Sequence, residues 1–150
     1  MANVRTGNPK DFAEVVNNLP KVWFRNKRDQ ALYRILIGRA LDDGRVVVAR
    51  GRRGKLLGAL LWEDTVSFDS LYVRFSYASV PKRAGPISLQ MFTHLEGIAK
   101  GNGLRSILAE VPSGSRQHAL ILRQRRAKEV GRLVDVHGPG TRTHVFKFDV

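Results

Sequence analysis

The sequence has 150 residues, the size of one ordinary domain, and we expect a single domain over residues 1–150. It contains no cysteine, which excludes disulfides, thiolate nucleophiles and thiolate metal sites. Lysine and arginine number 26 against 13 aspartates and glutamates, and the resulting net charge of +13 predicts an anionic partner.

The first third of the chain predicts one strand and two helices. Val4 to Thr6 favours a short strand, and Asn8-Pro9-Lys10-Asp11 is a typical helix start ahead of apolar residues at helical spacing. Pro20 ends that helix. Helical spacing of apolar residues returns from about Asp29 to Leu41, which predicts a second helix closed by Asp42-Asp43-Gly44.

The middle of the chain changes to a strand pattern. Val46 to Ala49 is rich in β-branched residues, Gly51-Arg52-Arg53-Gly54 is typical of a hairpin turn, and Leu56 to Trp62 forms the partner strand. A third strand follows from about Val66 to Ser79. No apolar run approaches the roughly 20 residues of a membrane helix, and nothing resembles a signal peptide, so we expect a soluble protein with no membrane partner.

A basic turn, Lys82-Arg83-Ala84-Gly85-Pro86, follows the third of these strands. It leads into an amphipathic helix from Pro86 to Lys100, which Gly101-Asn102-Gly103 ends before a buried strand from Leu104 to Val111. A glycine-bearing turn that feeds a helix N-terminus is a common phosphate-binding arrangement. The other predicted elements are a helix from Pro112-Ser113-Gly114-Ser115 to about Lys128 and strands near Val130–Val136 and Thr143–Phe148, joined by Gly138-Pro139-Gly140.

This order of elements resembles the GNAT N-acetyltransferase superfamily over nearly the whole chain. Local support comes from Val80-Pro81-Lys82-Arg83-Ala84-Gly85, from the helix end Ile98-Ala99-Lys100-Gly101-Asn102-Gly103-Leu104, and from Glu129-Val130-Gly131-Arg132-Leu133, which looks like the family's entry into its sixth strand. The resemblance implies an α/β fold with a mixed central sheet of about six to seven strands, flanked by about four helices.

The resemblance also implies acetyl-CoA as cofactor and an amine as acceptor. The family's phosphate loop corresponds here to residues 82–87, and the implied cofactor-binding residues are Val80, Lys82, Arg83, Ala84, Gly85 and Ile87. Three residues depart from the family pattern. Lys82 replaces the family's Gln or Arg, as a point charge that can still meet a phosphate. Pro86 removes one N–H donor, and Ile87 replaces the small residue that lets the backbone approach the phosphates. A donor lost to a charged group costs about 1.5–3 kcal/mol of binding.

The family's acid and base residues are matched in part. A tyrosine that protonates the departing thiolate in many members aligns with Arg123, and the sequence has no tyrosine after Tyr77. The base that takes the proton of the amine is commonly a carboxylate on the fourth or fifth strand, and Glu110 and Asp69 are the candidate catalytic residues here. The four histidines lack metal-ligand spacing, so no metal is expected.

A second hypothesis is a GNAT-like protein without catalysis that uses its basic surface. The candidate contacts to nucleic acid, another polyanion or an acidic protein surface are Arg52, Arg53, Arg123, Arg125 and Arg126. Small virion proteins of some short-tailed phages have GNAT-like patterns with similarly reduced motifs, and this analogy extends the expected location from the cytoplasm to the virion. The aromatic residues Phe68, Tyr72, Phe75 and Tyr77 are expected to pack the sheet between its covering layers rather than stack on bases.

Overall fold

The computed structural model describes residues 1–23, 26–65, 69–113, 115–135 and 139–150. The strands are β1 (Asn3–Thr6), β2 (Val46–Arg50), β3 (Leu56–Thr65), β4 (Ser70–Ala78), β5 (Ser106–Pro112), β6 (Lys128–Val134) and β7 (Arg142–Asp149). The helices are α1 (Phe12–Asn17), α2 (Lys27–Asp42), α3 (Ala84–Gly101) and α4 (Arg116–Gln124). None of the helices described is both long and apolar enough to cross a membrane.

The strands form one mixed sheet in the order β1-β2-β3-β4-β5-β7-β6. Only β4 and β5 run parallel, while every other neighbouring pair is antiparallel. Helix α3 connects these two parallel strands, as a crossover between parallel strands requires. The expected α/β fold, with a mixed sheet of about six to seven strands and about four helices, is confirmed.

Apolar side chains cover the sheet on both faces. Residues of α1 and α2, such as Val15 and Ile37, pack on one face together with Phe75 and Tyr77. On the other face, residues of α3 such as Phe92 pack with Phe146 and other residues of β5 and β7. Burial of apolar surface on both faces is the main stabilising contribution to such a layered domain.

Strands β4 and β5 separate after a short stretch of pairing. Their register joins four residue pairs, from Ser70–Ser106 to Val73–Ala109, and then ends. At the same point the pairing of β4 with β3 shifts, since Trp62 lies opposite Val73 but Leu61 lies opposite Phe75, which leaves Arg74 as an inserted residue. A bulge of this kind bends its strand. A cleft therefore opens between the second half of β4 and the end of β5.

Gly58 in β3 fixes the position of the start of α3 over the sheet. A Cβ atom built on Gly58 would lie 2.6 Å from the Tyr77 carbonyl oxygen and 3.1 Å from Ile87 Cγ2. No side chain fits at a distance of 2.6 Å from a backbone atom. The glycine is therefore required for the close approach of β3, β4 and the first turn of α3.

Helix α4 is shorter than its sequence pattern predicts. The expected helix reaches Lys128, but α4 ends at Gln124, and Lys128 is the first residue of β6. Arg126 adopts a φ of 58°, and the N–H of Ala127 donates to the Leu122 carbonyl at 2.8 Å. A left-handed residue with this bond pattern commonly ends a helix and is usually glycine. Because arginine stands at this position, no residue type marks the helix end.

Of the aromatic residues of β4, Phe75 and Tyr77 are packing residues. Phe75 and Tyr77 are buried and stack with ring centroids 6.1 Å apart, and the Tyr77 hydroxyl donates to the Val15 carbonyl at 2.8 Å. Tyr72 is half-buried and lies at the cleft. Phe68, together with Val66 at the expected strand start and Gly138 in the expected last turn, lies outside the described residues.

Candidate active site

Glu110 lies at the point where β4 and β5 separate. Its side chain is buried with 6% exposed, and the Tyr72 hydroxyl donates a hydrogen bond of 2.5 Å to Glu110 Oε1. Burial and the bond to the Glu110 carboxylate raise the pKa of Tyr72 far above its ordinary value. Tyr72 therefore keeps its proton and donates it to the hydrogen bond, which leaves the carboxylate of Glu110 as the acceptor.

Two further polar side chains lie close to this pair. Burial raises the pKa of Tyr33 on α2 to about 12, with the positive charge of Arg74 opposing the rise and the negative charge of Glu110 adding to it. Arg74 is the inserted residue of β4, and its Nε is buried without a hydrogen-bond partner in the part of the chain that the structure describes. Helix α2 and strands β4 and β5 thus bring two phenols, one guanidinium and one carboxylate to one end of the cleft.

Asp69, the other candidate base, lies elsewhere. It is an exposed turn residue with a φ of 49°, directly before β4, and its carbonyl accepts a hydrogen bond of 2.9 Å from the N–H of Arg105. Five residues of strand, or about 16 Å, separate Asp69 from Arg74 at the cleft. The structure therefore brings Tyr72 to Glu110 and leaves Asp69 at the opposite end of β4.

The loop between β4 and α3 forms a tight turn. Residues 81–83 are a 3₁₀ turn, in which the N–H of Arg83 donates to the Val80 carbonyl at 3.0 Å and the N–H of Ala84 donates to the Pro81 carbonyl. Two backbone donors that the resemblance assigned to phosphate binding are thus occupied within the turn. Pro86, the third residue of α3, supplies none. The side chains of Lys82 and Arg83 in this loop are exposed.

Ile87 does not block the approach to the loop, contrary to the sequence-based expectation. Its side chain is only 3% exposed and packs into the core with Met91 and Leu57. The surface over the first turn of α3 is open, because a Cβ built on Gly85 meets no heavy atom within 4 Å. Ile87 therefore anchors the helix start and leaves the space next to Gly85 free.

A groove of about 640 Å³ runs between the β2–β3 hairpin and the start of α3. We call it the basic groove, since four cationic side chains line it together with apolar residues such as Leu57 and Ile87: Arg52, Arg53, Lys55 and Arg83. No acidic residue is among the described lining residues. The fold thus joins two cationic segments that are about 30 positions apart in sequence, and the groove suits a ligand with several phosphates.

The late arginine cluster is dispersed over different surfaces. Arg125 donates to Glu96 at 2.5 Å and to Thr93 at 2.8 Å, and its guanidinium lies 5.8 Å from the centre of the Phe148 ring. Arg126 is exposed at the end of α4, whereas Arg123 lines a separate pocket beside that helix. These three arginines do not form one continuous cationic patch, because the charge of Arg125 is used inside the protein.

The sequence pointed to only some of the residues that lie together at the cleft. Glu110 was named as a candidate from its residue type near the fifth strand, whereas Tyr33, Tyr72 and Arg74, which lie near it, were not named as candidates. Their proximity depends on the strand register and on the bulge at Arg74, neither of which leaves a local pattern. Within the described ranges, no group of three or more His, Cys, Asp or Glu side chains is arranged to hold a metal ion.

Comparison with known proteins finds similarity among solved structures. No protein-family model and no curated protein sequence matches the chain. Among solved structures, a GNAT-family acetyltransferase from Bacillus cereus superimposes with a TM-score of 0.77 at 17% identity, covering 99% of this chain and 97% of that one.

Two further solved structures are similar. The ribosomal-protein-alanine N-acetyltransferase of Brucella melitensis gives a TM-score of 0.72 at 18% identity, with 99% of both chains covered. The aminoglycoside 6'-N-acetyltransferase of Enterococcus faecium gives 0.76 at 12% identity, with 98% of this chain and 96% of that one covered. With the sheet order and the divergence of β4 from β5, these similarities establish that the chain has the GNAT N-acetyltransferase fold.

Proposed function

We propose that this protein transfers an acetyl group from acetyl-CoA to an amine. The observation that carries the proposal is the placement of Glu110, a buried carboxylate held by Tyr72 where β4 and β5 part. A carboxylate at that position is suited to remove a proton from an amine as it attacks an acyl carbon.

The basic groove and the open surface at Gly85 fit the cofactor. Coenzyme A carries three phosphates, and Lys82 and Arg83, with Arg52 and Arg53 across the groove, would hold them through charge-assisted hydrogen bonds. The bound cofactor supplies an acetyl group already activated as a thioester. Because several backbone donors of the loop are occupied or missing, these side chains provide most of the affinity, and a dissociation constant in the micromolar range is expected.

The chain's own residues account for one of the two proton transfers. Glu110 receives the proton of the attacking amine, directly or through one water, while the hydrogen bond from Tyr72 orients its carboxylate. Arg123 occupies the α4 position at which the resemblance expects a tyrosine as proton donor. A thiolate is a tolerable leaving group, so solvent can protonate it, and this lowers the rate rather than abolishing it.

The acceptor is an amine whose identity has to be found by screening. A useful panel contains free amino acids, peptides with an N-terminal alanine and aminoglycosides, the latter two being acceptor classes named for structural neighbours. Transfer is measured as the release of free thiol from acetyl-CoA that depends on added acceptor. This readout serves for every acceptor, and the rate without acceptor reports thioester hydrolysis alone.

The first test is cofactor binding at Gly85. The Gly85→Trp variant should fold normally, because the space next to Gly85 is open, and should lose acetyl-CoA binding in isothermal titration by at least about tenfold. Gly97→Trp is the matched control, since Gly97 lies on the same helix with equally open space and away from the groove. Absence of acetyl-CoA binding by the unmodified protein at millimolar cofactor, or equal binding by both variants, would refute the proposal.

A second candidate function is the binding of a polyanion by a catalytically silent protein. The favouring observation is the basic groove itself, which presents four cationic side chains without an acidic lining residue in the described part of the chain. Nucleic acid or an acidic protein surface could occupy it, in the cytoplasm or in a phage virion. The two candidates differ in the ligand of one groove, which makes them separable by experiment.

A further inference from the structure

We propose a second reactive centre on the face of β5 opposite to Glu110. In it Ser113 acts as nucleophile, His144 as general base and the Glu129 carboxylate as the group that orients the histidine. Its substrates are small esters and thioesters of short-chain acids. The centre does not depend on the proposed acetyl transfer to an amine, since none of its residues belongs to the Glu110 site or to the basic groove.

The strand register places the three residues on one face of the sheet. Val111 of β5 lies opposite His144 of β7, and Ser113 follows Val111 by two positions, which returns it to the same face. On β6, Glu129 lies opposite Phe146, which is two residues from His144. Three separate segments therefore converge on one side of the sheet, the side covered by α3 and α4.

The hydrogen bonds connect Ser113 to His144 and His144 to Glu129, as in a serine that a histidine activates as a nucleophile. Ser113 Oγ lies 3.2 Å from His144 Nε2, and His144 Nδ1 lies 2.6 Å from Glu129 Oε1. A carboxylate accepts only from a protonated Nδ1, so the neutral imidazole presents its lone pair at Nε2 to the hydroxyl of Ser113. This is the arrangement by which serine is made nucleophilic in acyl transfer.

Glu129 is negatively charged at neutral pH. The hydrogen bond from Arg132 and, to a smaller extent, the one from His144 lower the pKa of Glu129 to about 2. Arg132 Nε lies 2.8 Å from Glu129 Oε1. An ionised carboxylate stabilises the imidazolium that forms when His144 takes the serine proton. Arg132 donates to the same oxygen atom and so also holds the carboxylate in place.

A pocket of about 500 Å³ opens beside the three residues, between α4 and the ends of β5, β6 and β7. Its apolar wall includes Val111, Ala119 and Phe146, which suits a short acyl chain. Arg123 of α4 lines the same pocket and supplies positive charge for the oxyanion that forms when a carbonyl is attacked. The pocket thus combines a nucleophile, an acyl-binding surface and an electrostatic stabiliser.

The reaction consists of two balanced steps. Ser113 Oγ bonds to the acyl carbon while its proton passes to His144 Nε2, the carbon–oxygen or carbon–sulfur bond of the substrate breaks, and the leaving alcohol or thiol takes that proton. Water then adds to the acyl-serine with His144 again accepting a proton. The serine–acyl bond breaks, Ser113 recovers its proton, and the carboxylic acid is released.

The test uses p-nitrophenyl acetate as substrate and an alkyl fluorophosphonate as covalent probe. We expect the probe to label Ser113, identified by peptide mass spectrometry, and Ser113→Ala and His144→Gln to reduce p-nitrophenol release by at least about 100-fold. Thr6→Ala is the control, since it removes an exposed hydroxyl from β1, at the opposite edge of the sheet from β6, and should retain the rate. Arg123→Gln should lower the rate without preventing labelling.

Equal rates of p-nitrophenol release by the unmodified protein and Ser113→Ala, or labelling at a residue other than Ser113, would overturn the proposal. Melting curves of each variant separate loss of reactivity from loss of fold. Neither reagent contains coenzyme A, so a negative result here leaves the Glu110 site untouched. A failure to bind acetyl-CoA, in turn, does not affect this centre.

Discussion

Glu110 and Tyr72 are 38 positions apart in sequence, and strand register alone brings them together. Tyr72 lies opposite Leu108, and Glu110 follows Leu108 by two residues on the same face of β5. The hydrogen bond between them forms at the last paired residues before the strands diverge. A buried carboxylate with a fixed donor therefore lies where the two strands part.

Replacing Glu110 by glutamine removes the proton acceptor and keeps the shape of the side chain. We expect Glu110→Gln to lower kcat for acetyl transfer by about 100-fold or more, with little change in acetyl-CoA affinity. Tyr72→Phe, which removes only the orienting hydrogen bond, should have a smaller effect. Thiol release and isothermal titration measure the two quantities separately. Unchanged kcat in Glu110→Gln would exclude Glu110 as the base.

The N-terminal elements are joined to the sheet by a network of ion pairs around the buried Asp11. Asp11 is only 2% exposed and accepts hydrogen bonds from Arg5 at 2.9 Å, from Arg50 at 2.6 Å and from the N–H of Asn8 at 2.9 Å. Arg50 also donates to Glu14 at 2.9 Å. One carboxylate thus links β1, the turn before α1 and β2, so its charge contributes to the docking of the α1 segment.

This network makes part of the stability depend on pH. Although burial alone would raise it, the pKa of Asp11 is lowered to about 2 by the hydrogen bonds from Arg5, Asn8 and Arg50. A carboxylate with a lowered pKa in the folded state contributes stability above its ordinary pKa of 3.8, and this contribution disappears as the pH falls through about 2.

The Asp11→Asn variant should lose about 2 kcal/mol of unfolding free energy at pH 7 and lose progressively less relative to the unmodified protein between pH 4 and pH 2. Urea denaturation at a series of pH values measures the difference. Asp149→Asn, at an exposed aspartate of β7, is the control and should show no such trend. A difference between Asp11→Asn and the unmodified protein that is constant down to pH 2 would contradict the assignment.

Residue patterns predicted which helices and strands exist, and in which order, better than they predicted where each helix or strand ends. Asn8 caps the turn before α1 through its side chain, and helix α3 ends within the predicted Gly101-Asn102-Gly103 segment. The end of α4 was missed, because Arg126 takes the left-handed conformation that glycine usually signals. Local patterns identify a boundary only where the residue type is specific for it.

In the molecule as a whole, the fold places the arginine side chains on several separate surfaces. Arg52, Arg53 and Arg83 converge on the basic groove, Arg123 lines the α4 pocket, and Arg125 pairs with Glu96. Part of the positive charge is therefore gathered at one groove, while these other arginines lie on different surfaces. Reversing the charge of a side chain in the basic groove should consequently weaken anion binding much more than the same reversal elsewhere on the surface.

The Arg53→Glu variant should weaken acetyl-CoA binding by about tenfold, whereas Arg126→Glu, with the same change in net charge, should leave it unchanged. If the ligand is nucleic acid instead, affinity for a DNA oligonucleotide should fall steeply with salt, and Arg53→Glu should flatten the log–log slope. A shallow slope in the unmodified protein would point to an acidic protein surface. Equal effects of the two reversals on acetyl-CoA binding would show that the groove is not the cofactor site.

The sequence by itself determined the class of fold, the order of the elements and the basic turn before α3, because helical and strand periodicities and turn residues are local properties. Tertiary structure decided which side chains share a site. Register placed Tyr72 with Glu110 and Ser113 with His144 and Glu129, while it left Asp69 at the far end of β4. These groupings join separate segments, and long-range strand pairing, which sets them, has no signature in any one of those segments.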